Sequence, residues 1–275
     1  MEIEDAFKDG KAFIAFVTCG DPDMGTTASV VKALAENGAD LIELGIPFSD
    51  PTAEGPVIQE ANVRALKAGT TTDKVFDMVS SIRGEVRVPL VFMTYANVVF
   101  SYGTDRFLQR CREGGIQGLI LPDVPYEEKE DFLPACRRHG VKLISMVAPT
   151  SEERISMIAA ESEGFLYIVS SMGVTGARKS ITTDVGSITE AARKATRTPC
   201  AVGFGISTPE QAREMSRFAD GVIIGSAIVR IVAEHGRESP GPVGEFAKAV
   251  KDAISGRRRR LYLATAGTWW QRSCP

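Results

Sequence analysis

Histidine is almost missing from this chain of 275 residues, which has only His139 and His235. Both fall near the C-terminal ends of helical patterns, where a solvated or dipole-interacting imidazole is usual, and this argues against Ser-His-Asp chemistry. Cysteine is sparse and odd in number: Cys19, Cys111, Cys136, Cys200 and Cys274, with no Cys-x-x-Cys. That pattern implies reduced thiols and no metal site. No apolar run approaches the roughly 18–20 residues of a membrane span. The start, Met-Glu-Ile-Glu-Asp, is acidic and lacks a signal-peptide pattern, so the expected location is the cytoplasm. A net charge of −3 argues against a nucleic-acid or membrane-surface partner for the body of the chain. There is no Gly-x-Gly-x-x-Gly after the first apolar run, and no lysine at a strand end, since Lys142 begins its run. The first absence argues against a dinucleotide site. The second argues against a phosphate-binding barrel that works through a catalytic lysine.

What is present is a repeat of short apolar runs with helical patterns between them. The runs are Ala12–Val17, Asp40–Leu44, Val88–Thr94, Gly118–Leu121, Lys142–Val147, Phe165–Ser170, Cys200–Phe204 and Gly221–Ile224. Eight strand–helix units at a spacing near ~25 residues predict a TIM (β/α)8 barrel, with a doubly wound open sheet as the alternative. The gap after the second strand is long and holds an extra helix, Val57–Ala68, before the usual barrel helix near Thr72–Arg83. One helix is expected over Glu127–Arg138 and a last one over Val243–Ile254. Residues 1–255 then form a single catalytic domain. Residues 256–275, with the basic run Arg257–Arg260 and both tryptophans (Trp269, Trp270), form a peripheral tail.

The stretch from Leu41 to Pro56 organises the chain. Its strand carries Glu43 inside an apolar run, where a carboxylate is either paired or kept for chemistry. Pro47, Pro51 and Pro56 stiffen the loop that follows, which bears Asp50 and Glu54. Carboxylates held against a barrel strand end suit acid–base catalysis. Other strand ends add Phe16 in Phe-Val-Thr-Cys-Gly-Asp-Pro, and Tyr95 and Asn97 in Met-Thr-Tyr-Ala-Asn. The fourth gives Asp123 in Asp-Val-Pro, and the sixth gives Tyr167 followed by Gly173-Val174-Thr175-Gly176 and Arg178-Lys179. Phe16 reads as core or as pocket lining. Tyr95 and Asn97 read as structural or as bonded to the active-face loops, and Asp123 as an active-face acid or as the cap of Glu127–Arg138. The loop after Tyr167 reads as an ordinary glycine-rich turn or as a lid over a charged ligand. Phe204-Gly205 and Gly225-Ser226 end the last two strands, the usual place in such barrels for a phosphate.

Ile-Glu-Leu-Gly-Ile-Pro-Phe-Ser-Asp-Pro-Thr-Ala-Glu-Gly-Pro-Val-Ile-Gln, together with these strand-end motifs in this order, resembles the tryptophan synthase alpha chain family over about residues 5–255. Glu54 stands where that family usually has aspartate. The resemblance implies a lyase of L-tryptophan biosynthesis, which cleaves indole-3-glycerol phosphate by a retro-aldol step to indole and glyceraldehyde 3-phosphate. It makes Glu43 and Glu54 catalytic. It assigns substrate binding to Phe16, Tyr167, Thr175, Gly176, Phe204, Gly205, Gly225 and Ser226, and partner contact to Asp50. No metal or cofactor is implied in this chain. The implied partner is a beta chain carrying pyridoxal phosphate, in an alpha-beta-beta-alpha complex. The rival is a weakly active or non-catalytic alpha-type subunit that activates beta, because Glu54 adds a methylene at a catalytic position.

Overall fold

The computed structural model describes residues 2–169, 181–203 and 205–256, with side chains omitted over 181–184. After a 3-10 turn at Ile3–Phe7, the order is β1 (Ala12–Thr18), α1 (Met24–Glu36), β2 (Leu41–Gly45), α2 (Pro56–Lys67), α3 (Thr72–Ile82) and β3 (Leu90–Met93). Next come α4 (Ala96–Tyr102), α5 (Thr104–Gly114), β4 (Ile116–Ile120), a 3-10 segment Tyr126–Asp131, α6 (Leu133–His139), β5 (Lys142–Leu143) and β6 (Met146–Val147). The chain continues through α7 (Glu152–Ala160), β7 (Leu166–Val169), α8 (Ile181–Ala195), β8 (Cys200–Gly203), α9 (Pro209–Met215), β9 (Gly221–Ile224), α10 (Ser226–His235) and α11 (Pro240–Ile254).

The described strands make one parallel sheet in the order β5-β4-β3-β2-β1-β9-β8-β7-β6. Its two edges are successive pieces of the same run. Ile144 N–H donates to Leu119 O at 2.9 Å on one side, and Ser145 O accepts from Tyr167 N–H at 2.9 Å on the other. That single run closes an eight-stranded barrel and leaves no bare edge.

Side chains alternate along each strand. Phe13, Ala15 and Val17 of β1 face the helices, while Ile14 and Phe16 face the barrel interior with Leu41, Val91, Ile120, Phe165 and Ile223. Strands buried on both faces read as unbroken apolar runs, and this is why the sequence marks them so clearly. Ile3 of the N-terminal turn belongs to the interior cluster and packs on Gly118 and Gly164. A Cβ at Gly118 would lie 2.9 Å from Ile3 Cδ1, so glycine there makes room for the plug.

Three expectations change. The helix expected over Glu127–Arg138 is broken at Phe132 into a 3-10 segment and α6, because Pro134 lacks an N–H and crowds the carbonyl four residues back. A second additional helix, α4, precedes α5 and is separated from it by Gly103 at φ +91°. Asp123 caps α4 rather than the segment after it, taking the Ala96 N–H on both oxygens at 3.1 Å. The extra helix after the second strand is present as α2.

Candidate active site

Glu43 points into the barrel from β2, in register with Phe16 on one side and Val91 on the other. It is fully buried, and neither of its carboxylate oxygens has a hydrogen-bond partner among the described residues. Burial without compensation pushes its carboxyl up from 4.5 to about 8. Tyr167 faces it from β7, and its buried phenol is raised well above the usual value, first by burial and then by the charge of Glu43. Phe16 shares this interior cluster. Glycines at neighbouring strand ends shape the space around both rings. A Cβ at Gly45 would lie 2.6 Å from Phe16 Cζ, one at Gly225 would lie 3.2 Å from Phe16 Cδ1, and one at Gly203 would lie 2.7 Å from Tyr167 Cε1. Phe16 and Tyr167 therefore flank an acid in an otherwise apolar buried cluster.

Glu54 sits on the loop above β2 and is partly buried. Asn62 Nδ2, from α2, donates to Glu54 Oε2 at 2.6 Å. Gln59 Nε2 donates to the Glu54 backbone carbonyl at 2.8 Å. Burial pushes the Glu54 carboxyl up, while the Asn62 hydrogen bond and the neighbouring Tyr95 hydroxyl hold it down; the net direction is up. Tyr95 in turn accepts from the Ala53 N–H at 3.2 Å, and its ring packs 5.2 Å from that of Phe48. Of its two readings, Tyr95 thus takes the loop-bonding one. Asn97 does not: it is exposed and accepts from Ser101 of its own helix at 3.4 Å.

Helix α2 joins the two parts. Its Ile58 and Ala61 belong to the interior cluster with Phe16. Its Arg64 makes a two-point ion pair with the buried Asp21 of the loop after β1, Nε to Oδ1 and Nη2 to Oδ2, each at 2.8 Å. Asp50 is exposed on the loop between Glu43 and Glu54, bonded to Ser49.

At the paired strands β8 and β9, Gly205 holds φ +80° and Gly225 caps α10, whose first residue, Ser226, is exposed. The N-terminus of α10 thus opens beside the Gly205 turn, an arrangement suited to an anion. Thr175, Gly176 and Phe204, with Gly173, Arg178 and Lys179, lie outside the described residues. Lys142 stands at the N-terminal start of β5, at the opposite mouth, and bonds Glu4 Oε1 at 2.6 Å. Among the described residues no three His, Cys, Asp or Glu side chains cluster as metal ligands. Nor is any described helix long and apolar enough to cross a membrane.

Sequence reasoning missed Asn62, Gly45 and Gly203. Asn62 carried a signal: it interrupts the buried stripe Ile58, Ala61, Ala65 on α2, and a polar residue in such a stripe needs a partner. The two glycines carried none, because their need arises from aromatic rings on neighbouring strands.

The sequence profile of the family Tryptophan synthase alpha chain matches residues 4–254. A tryptophan synthase alpha chain from Lacticaseibacillus casei is 46% identical over 258 residues, covering 94% of this chain and 97% of that one. The crystal structure of tryptophan synthase subunit alpha from Legionella pneumophila superposes with a TM-score of 0.84 at 35% identity, covering 93% of this chain and 99% of that one. A structure of Mycobacterium tuberculosis tryptophan synthase superposes at 0.83 with 32% identity, covering 92% and 97%. Matched from end to end of its barrel by profile, sequence and structure, this chain belongs to the tryptophan synthase alpha chain family.

Proposed function

We propose that this chain cleaves indole-3-glycerol phosphate to indole and glyceraldehyde 3-phosphate, with Glu43 as the proton carrier and Glu54 as the acceptor of the indole N–H. The observation that carries the reading is the state of Glu43: a buried acid, unpaired among the described residues, raised to about 8 and flanked by two aromatic rings. Carbon–carbon cleavage turns indole into a leaving group, so its C3 must gain a proton. At pH 7 a carboxyl with that pKa is mostly protonated and arrives as the acid. It gives its proton to C3 and the adjoining glycerol hydroxyl then loses one. The bond from C3 to the carbon bearing that hydroxyl breaks, its electron pair returns to the ring, and the hydroxyl oxygen becomes the aldehyde oxygen of glyceraldehyde 3-phosphate. The Glu43 carboxylate takes the hydroxyl proton and is ready again. Positive charge on the ring during this step is met by the Glu54 carboxylate at the indole nitrogen.

In this reading Phe16, Tyr167 and Phe204 hold the indole. Gly205, Gly225 and Ser226, with Thr175 and Gly176 of the preceding loop, hold the phosphate. No cofactor acts in this chain. Family membership supports a beta chain carrying pyridoxal phosphate as partner, in an alpha-beta-beta-alpha complex, with exposed Asp50 facing it. Residues 1–255 act as one catalytic domain in the cytoplasm. The test is indole release from indole-3-glycerol phosphate by the purified chain, with Glu43→Gln and Glu54→Gln alongside. Loss in both variants is expected. Wild-type release no faster than that of Glu43→Gln, with activation of beta intact, would leave the subunit regulatory instead.

A further inference from the structure

We propose that Asn62 is a positioning residue that adapts this active site to a glutamate at residue 54, gripping the longer acid's carboxylate so that it meets the indole nitrogen at a fixed place. The inference rests on the role given to Glu54 above and says how this chain keeps that role with one methylene more than the family's usual aspartate. An additional rotor would spread the carboxylate over several positions, and a displacement on the order of 1 Å costs about a hundredfold in rate. Here the side chain is fixed at both ends. Gln59 holds the backbone carbonyl at 2.8 Å, and Asn62 holds Oε2 at 2.6 Å beside the Tyr95 hydroxyl.

The grip stands on a rigid support, and so does the loop above it. Asn62 is 4% exposed on a helix that the Arg64–Asp21 pair fastens to the loop after β1, and Ile58 and Ala61 seat that helix on the barrel interior. Tyr95 is 2% exposed, lies against Phe48 and is bonded by the Ala53 N–H.

The test uses Asn62→Ala and Asn62→Ser in steady-state cleavage assays across pH, with Glu54→Gln as control. Each positioning variant is expected to lower kcat/KM about ten- to hundredfold, mostly through kcat, since what is lost is aim rather than affinity. The acid limb of the Asn62→Ala profile should move to higher pH, because the lost amide bond held the Glu54 carboxyl down. The groups around Glu54 keep this assignment clean. The Tyr95 phenol, pushed up to about 12, stays neutral, Asp123 acts on Tyr95, and Glu43 governs the alkaline limb. Glu54→Asp placed on Asn62→Ala should cost less than it does alone. If Glu54→Gln is silent, the role of Glu54 itself falls. If Glu54→Gln is inactive while both positioning variants keep the wild-type rate and acid limb, the grip falls. Should one positioning variant fail to fold, the other decides between these outcomes.

Discussion

Replacing Glu43 by glutamine separates what this acid does for catalysis from what it does to the fold. The side chain keeps its volume and loses its proton. A single positioned acid or base is worth about 10²–10⁴ in rate, and Glu43 serves twice, so indole release should fall at least about 10³-fold. Stability should move the other way. A carboxyl whose folded pKa lies above its unfolded value holds its proton more tightly when folded. Its contribution is therefore fully present below the unfolded value of 4.5 and is lost as pH rises to about 8. At 1.36 kcal/mol per unit, the loss is about 1 kcal/mol at pH 5, about 3 at pH 7 and nearly 5 at pH 9. Glutamine escapes it. The buried amide adds an offset of its own, but that offset does not vary with pH. The difference in unfolding free energy between variant and wild type should thus grow by roughly 2–4 kcal/mol from pH 5 to pH 9, read by urea melts at three pH values. Parallel stability–pH curves would refute the claim that Glu43 is buried without compensation. A near-normal rate in Glu43→Gln would refute its chemical role.

Three further outcomes follow. Glu54→Asp retracts the carboxylate by about 1.5 Å, one carbon–carbon bond, and should lower kcat about tenfold or more although aspartate is the family's usual residue; a faster enzyme would contradict the grip on the longer acid. Gly45→Ala brings a methyl within 2.6 Å of Phe16, so the ring must shift from its place beside Glu43. We expect KM for the substrate to rise more than kcat falls, with about 1–3 kcal/mol of stability lost, and unchanged kinetics would place Phe16 away from the substrate. Adding a beta chain should raise the cleavage rate, and equal rates with and without it would argue against coupling between the two subunits.

The barrel was legible because its strands are buried on both sides and the spacing between them repeats. Glu43 was legible because a charge inside an apolar run is anomalous wherever it lies. Local sequence was a poorer guide where distant residues decide. Asp123 sits before one helical pattern but caps another, since the β3–β4 pairing brings the Ala96 N–H to it. Pro134 marked the break before α6, yet the acidic, helix-favouring run ahead of it hid the interruption. The division of labour in the fifth strand, paired on one side by its first half and on the other by its second, depends on closure of the whole sheet. Likewise, Glu54 was visible as a departure, but what holds its carboxylate comes from eight residues downstream, on α2.

The plug at Ile3 ties the chemistry to the very beginning of the chain. Gly118, against which its tip rests, shares a hydrogen-bonded row with Val91 and so with Glu43. Ile3 thus joins Ile144 and Phe165 in the apolar layer beneath the acid. Trimming Ile3 to alanine would let solvent wet the acid from underneath, return its carboxyl toward ordinary acidity and leave the enzyme with a proton it can no longer keep until it is needed.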